Sequence, residues 1–93
     1  MKYMLCRNRV RDYQAWYEVF TSNTASAREA GLQLINLWRD MEDPNNIFML
    51  FSVESMERAR EFINHPDAAR SGEVSGVIDG ECHFLEDSEA IPA

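Results

Sequence analysis

The side chains in this sequence whose types could do chemistry are few: Asn8, His65, His83, Trp38 and the two cysteines, Cys6 and Cys82. Asn8 closes the run Tyr3-Met4-Leu5-Cys6-Arg7-Asn8 with an amide that both donates and accepts hydrogen bonds. Small-molecule pockets are mostly apolar with a few placed polar groups, so Asn8 is the candidate for contacting a ligand. Its competing role is structural, with the amide bonding to backbone where the chain turns at Val10 and Arg11. His83 titrates in a range suited to proton transfer, but strand alternation puts it on the face opposite Asn8, near Leu5, where it reads as structural. His65 precedes Pro66 at a helix end, where an imidazole can cap free carbonyls. Cys6 and Cys82 are too few for a disulfide framework; as a cross-strand pair in core positions with no base beside them they read as small hydrophobes in preference to a redox pair. Trp38 could line a pocket or the edge of an interface, and its face depends on the geometry of the turn that follows. Glu57, Arg58, Arg60 and Glu61 form a solvated helix face with local ion pairs.

No cluster has metal-ligand spacing, and no cofactor is expected. Chemistry in which a substrate activates itself once deprotonated still needs a base and a polar group for the developing oxyanion. No base accompanies Asn8 on its own side of the sheet, which favours binding over catalysis. A titratable side chain in the same cavity as Asn8 would reverse that preference.

These candidates are positioned by a repeated unit. Residues 47–53 carry only Ser52 as a polar side chain, which marks a central strand buried on both faces. Ser55 then caps a helix over 56–64 with apolar positions Met56, Ala59, Phe62 and Ile63. Upstream, residues 2–9 alternate as a strand, Asp12 caps a helix, and Tyr13, Trp16, Tyr17 and Phe20 form an aromatic stripe that reads as core. The stretch 21–27 is small and of modest helix propensity, so the helix is expected to loosen or leave space there before Gly31 ends it. Residues 32–40 form a second strand, joined to the third through the turn containing Pro44, Asn45 and Asn46. After His65-Pro66 one further short helical turn is expected within 67–76, and 80–86 forms the last strand.

Strand, helix, strand thus occurs twice, which predicts an α+β fold: a ferredoxin-like βαββαβ sandwich with a four-stranded antiparallel sheet and helices on one face. Strand order 4-1-3-2 follows, with Lys2 opposite Glu86, Met4 opposite Phe84, Cys6 opposite Cys82 and Arg7 opposite Glu81. Met4, Cys6, Met49, Phe51, Cys82 and Phe84 then lie under the helices. A ligand cavity is expected there, floored by Asn8, Met49 and Phe51 and walled by Trp16 and Phe20. The other face shows Tyr3, Leu5, Phe48, Leu50 and Leu85. Covering five such side chains is worth roughly 8 to 15 kcal/mol at about 1.5 to 3 each, as large as the whole stability of a small domain, so a homodimer through this face is expected.

With 93 residues the chain makes one domain with a thin core, expected over 1–87 with a loose tail over 88–93. With two cysteines and no disulfide framework, a reducing cytoplasm is the expected compartment. The opening MKYMLCRNR has neither the hydrophobic region of a signal peptide nor a membrane span, so structure is expected from residue 2.

The sequence resembles the dimeric α+β barrel superfamily, which includes small proteins similar to antibiotic-biosynthesis monooxygenases. The resemblance is carried by MKYMLCRNRV, RDYQAW, AREAGLQL, WRDMEDPNN, FMLFSV and ECHFLED and runs over nearly the whole chain. It implies two sheets facing each other in a dimer, with ligands held between sheet and helices. It leaves the activity open, because members include cofactor-independent oxygenases, haem-degrading oxygenases, lactone isomerases and sensor domains. The haem-degrading branch uses an Asn on the first strand, a Trp ending the third and a His on the second helical segment. Asn8 fits the first with one residue of slippage, Val53 stands in place of the Trp, and the region of Ser71 and Gly72 offers no His.

Sixteen acidic against nine basic residues leave a net charge of −7, the wrong sign for neutralising phosphates or an anionic membrane. Neither nucleic acid nor a membrane is expected as a partner. The purified protein should therefore elute from immobilised DNA at low salt and show no haem absorbance band after haem is added. Salt-sensitive retention, or a stoichiometric haem band, would contradict this reading.

Overall fold

The computed structural model describes residues 1–89. Seven elements follow one another: β1 (Lys2–Val10), α1 (Tyr13–Glu29), β2 (Leu32–Arg39), β3 (Asn46–Val53), α2 (Met56–Asn64), α3 (Pro66–Ser75) and β4 (Val77–Glu86). All strand pairs are antiparallel in the order β2-β3-β1-β4, the expected ferredoxin-like arrangement. Of the expected tail, residues 90–93 lie outside the described residues. Among the described residues no helix is long and apolar enough to cross a membrane.

Local chemistry explains the helix ends. The Asp12 carboxylate accepts from the Ala15 amide at 3.1 Å and the Ser55 hydroxyl from the Arg58 amide at 3.3 Å. Gly31, at φ 79°, turns the chain out of α1. The expected loosening over 21–27 does not occur. Thr21, Ser22 and Thr24 turn their hydroxyls back onto the carbonyls of Glu18, Val19 and Thr21, so their polar groups are satisfied within a continuous helix.

The segment after His65 departs furthest from expectation, since α3 is a ten-residue helix rather than a single turn. Pro66 starts this helix, because a proline at the first helical position lacks only an N–H that would have been free anyway. His65 is its cap: Nδ1 accepts from the Asp67 amide at 3.1 Å, so the imidazole serves a helix start and not the carbonyls of a helix end. Gly76, at φ 81°, closes α3 and lets β4 begin at Val77, three residues before the expected start at Gly80.

The sheet register is the expected one, with Lys2↔Glu86, Met4↔Phe84, Cys6↔Cys82 and Arg7↔Glu81. It sorts the two faces. Met4, Cys6, Val10, Leu32, Ile47, Met49 and Phe51 form the core with Trp16, Ala27 and Ala59 from the helices. In β2 the register shifts between Leu34 and Asn36, so Ile35 is an extra residue. Leu34 and Leu37 therefore both face the helices, opposite Phe51 and Met49, and Trp38 falls opposite Phe48 on the bare face. On that face Tyr3, Leu5, Phe48 and Leu50 are half-buried, while Trp38 and Leu85 are 46% and 45% exposed.

Beside the apolar patch runs a charge ladder on the same face. Arg9 bonds to Asp79 at 2.6 and 2.9 Å, Arg7 reaches Asp79 at 3.0 Å and Glu81 at 3.2 Å, and Glu81 meets His83 at 2.6 Å. Hydrogen bonds from Arg9, then Arg7, hold the Asp79 carboxyl below its ordinary 3.8; those from His83 and then Arg7 hold Glu81 below 4.5. Both carboxylates have lower values in the folded state, so their contribution to stability is present above the ordinary values and is lost as pH falls through the folded ones. The pairs are exposed, so the effect is modest and weakened by salt. Thermal melts from about pH 6 to about pH 3 should show Tm falling through the carboxylate range, and Arg7→Gln should flatten that fall. An unchanged pH profile in Arg7→Gln would show that the ladder does not stabilise the fold.

Candidate functional site

An open cavity of about 1160 Å³ lies between the helices and the sheet. Asn8, Leu34, Phe51 and Cys82 reach it from the strands, Trp16, Phe20 and Asn23 from α1, and Phe62, Ile63 and Ser71 from α2 and α3. Trp16 and Phe20 stack with ring centroids 4.8 Å apart and form its aromatic wall. Tyr13 continues the stack and is itself covered by the Arg39 guanidinium, 3.8 Å from the ring centroid. The structure thus brings Asn8, Trp16, Phe20 and Phe51 to one cavity. Met49 is 3% exposed, packs beneath them in the core and does not line it.

Asn8 sits on β1 between Ile47 of β3 and Gly80 of β4. Its Oδ1 lies 2.5 Å from where a Gly80 side chain would begin, and the Arg7 carbonyl lies 2.8 Å from the same point. Gly80 is therefore the reason the amide can lean across the sheet toward β4. The backbone that could have held it is already engaged: the Val10 amide donates to Asn45 at 2.8 Å, the Arg11 amide to Gly76 at 3.0 Å, and the Arg11 carbonyl accepts from the Asn45 side chain at 3.5 Å. Among the described residues no side-chain polar atom is both fully buried and unpaired, so the unpaired Asn8 amide opens into accessible space. That gives a polar group without a protein partner on a mostly apolar surface.

Asn23 and Ser71 add a second polar point, joined at 3.4 Å where α1 meets α3. Sequence reasoning missed both. Asn23 lay in a stretch weighed for its small volume, and Ser71 in one expected to hold little helix. Pairing them required knowing that two helices distant in sequence meet.

Titratable groups occur at the cavity's rim. His65 is 60% exposed there, beside Asp67. Its Nδ1 is taken up by the Asp67 amide in capping α3. Arg28, Glu73 and Glu81 also line the cavity and, like His65 and Asp67, are exposed, while Trp16, Phe20, Phe51 and Phe62 form its apolar part. Among the described residues no three His, Cys, Asp or Glu side chains cluster as metal ligands. His83 lies on the opposite face, bonded to Glu81.

The cysteines depart from expectation. Cys6 and Cys82 form a disulfide across β1 and β4, with Cα atoms 4.1 Å apart. Cys6 is core, 5% exposed, but Cys82 is exposed at the cavity wall and is not a buried hydrophobe. The reason is its place on the sheet's edge strand next to Gly80, which offers no side chain to cover it.

The fold is shared with solved structures of low sequence identity. A protein from Deinococcus radiodurans provisionally named as an antibiotic biosynthesis monooxygenase matches at a TM-score of 0.70 and 13% identity, over 100% of this chain and 98% of that one. A similarly named protein from Bordetella bronchiseptica matches at 0.74 and 12%, over 95% and 97%. SnoaB, a cofactor-independent oxygenase from Streptomyces nogalater, crystallised as a point mutant, matches at 0.72 and 17%, over 99% and 97%. No family model and no curated protein matches the sequence. At these identities the likeness shows the ferredoxin-like fold alone, and that fold hosts more than one activity.

Proposed function

We propose that this chain binds a small, partly aromatic molecule between its sheet and helices, using the Asn8 amide for orientation and Trp16, Phe20 and Phe51 for apolar contact. The observation that carries this is the Asn8 amide, without a side-chain hydrogen bond among the described residues, beside the aromatic wall of a cavity of about 1160 Å³, which is ample for a small molecule. The enzymatic alternative, a cofactor-independent monooxygenase or isomerase, draws support from the likeness to SnoaB. Against it, the carboxylates that line the cavity, Asp67, Glu73 and Glu81, are exposed, and the His65 imidazole caps α3. The working form is a homodimer joined through the bare face of Tyr3, Leu5, Trp38, Phe48, Leu50 and Leu85. The half-burial of Tyr3, Leu5, Phe48 and Leu50 makes the gain from covering them smaller than full exposure would give. A cytoplasmic setting belongs to the same reading.

Native mass spectrometry of protein purified from its own host reports the dimer and any retained molecule together. With that molecule in hand, Asn8→Leu should weaken its binding by about 1 to 3 kcal/mol and leave Tm nearly unchanged. A fall in Tm with unchanged affinity would instead assign Asn8 a structural role.

Assembly is tested separately. Leu50→Glu puts a charge in the centre of the bare face and should yield a poorly soluble or unfolded monomer. Sedimentation of the unmodified protein as a stable monomer at micromolar concentration would overturn the dimer.

A further inference from the structure

We propose that Cys6 and Cys82 form a thiol–disulfide exchange site in the cavity wall, whose partner is a low-molecular-weight thiol and whose reactive sulfur is that of Cys82. The two sulfurs are joined across neighbouring strands, yet their surroundings differ sharply. Cys6 is buried in the core beneath the helices, whereas Cys82 is exposed on the edge strand and lines the cavity. A nucleophile arriving through the cavity therefore meets the Cys82 sulfur, while Cys6 is shielded.

The neighbours of Cys82 on the same face of β4 are Gly80 and Phe84. Gly80 leaves one side of the approach without a side chain. On the other side stands Phe84, with the exposed Arg60 guanidinium 5.5 Å from its ring centroid. The site faces the helices, so covering the bare face of the sheet with a second chain would leave it open.

The step balances as follows. The incoming thiolate attacks the Cys82 sulfur; a new sulfur–sulfur bond forms as the Cys6–Cys82 bond breaks, and the electron pair leaves on the Cys6 sulfur, which takes a proton from water. A second thiolate attacks the external sulfur of this mixed disulfide, releasing an external disulfide and the Cys82 thiol. Two external thiols are oxidised and the protein pair is reduced. β4 stays attached throughout, because its backbone pairing with β1 runs from Lys2↔Glu86 to Val10↔Val77 and the Arg7 and Arg9 ion pairs lie on the other face. The exchange site does not rest on any particular ligand in the cavity.

The test uses the oxidised full chain with glutathione, quenched in acid, alkylated and mapped by mass spectrometry. A single glutathione adduct is expected on Cys82, with Cys6 as the free thiol and the circular dichroism spectrum retained. Cys6→Ser treated with glutathione disulfide should hold a stable adduct on Cys82. Cys82→Ser should react at Cys6 at least about tenfold more slowly while folded. An adduct formed first on Cys6, reaction only in denaturant, or two thiols that stay unmodified and unpaired in glutathione disulfide would each overturn the proposal.

Discussion

The register between β1 and β4 is the constraint on which the rest of the molecule depends. In a pleated strand a shift of one residue moves every side chain to the other face. With Met4 opposite Phe84 and Cys6 opposite Cys82, the helix side receives the core, the cavity and the disulfide. The alternate positions, Arg7 opposite Glu81 and Arg9 opposite Asp79, become the charge ladder, while Tyr3 opposite Leu85 joins the bare apolar patch. A slip by one residue would bury two arginines without partners and expose the core methionine, so the ladder fixes register even though each exposed pair contributes little on its own.

That division was legible in the sequence because alternation and opposite charges are local, additive signals. The four strands, the caps at Asp12 and Ser55, the stop at Gly31 and the pairing partners all followed from residue types at short spacing. The placement of Asn8 on the helix side followed from parity alone. What did not follow were features decided by three-dimensional neighbours. Pro66 after a helix reads as a breaker, and becomes a starter only when His65 turns its imidazole onto the Asp67 amide. The extra residue Ile35 cannot be inferred from Leu32-Gln33-Leu34-Ile35-Asn36-Leu37, where several registers bury similar side chains. It is set by Leu34 and Leu37 both packing against the core, and only then does Trp38 acquire a face.

Gly80 shows a further limit. A glycine near the start of an edge strand carries no signal of its own, yet a Cβ there would collide with Asn8 Oδ1 and the Arg7 carbonyl. The same missing side chain uncovers Cys82 on its other side. One residue thus shapes both polar features of this part of the cavity wall, the free amide and the exposed sulfur. Neither can be deduced from the amide or the sulfur considered alone.

The cavity and the bare face are two consequences of one shortage of apolar material. Among the described residues the helices fully bury one large side chain, Trp16, with the small Ala27, Ala59 and Ser75, while Tyr13, Phe20, Phe62 and Ile63 are only partly buried against the core. Close packing normally leaves few voids, so a helix layer this sparsely furnished closes over part of the sheet and stands open over the rest. The stability this forgoes has to come from elsewhere in a chain of 93 residues, and the remaining apolar surface of the sheet lies on the opposite face. Burial there strengthens the sheet through Tyr3, Leu5, Phe48 and Leu50 without any contact with Asn8, Trp16 or Cys82. The geometry therefore separates the surface available for stabilisation from the surface available for chemistry, and a change in one need not disturb the other.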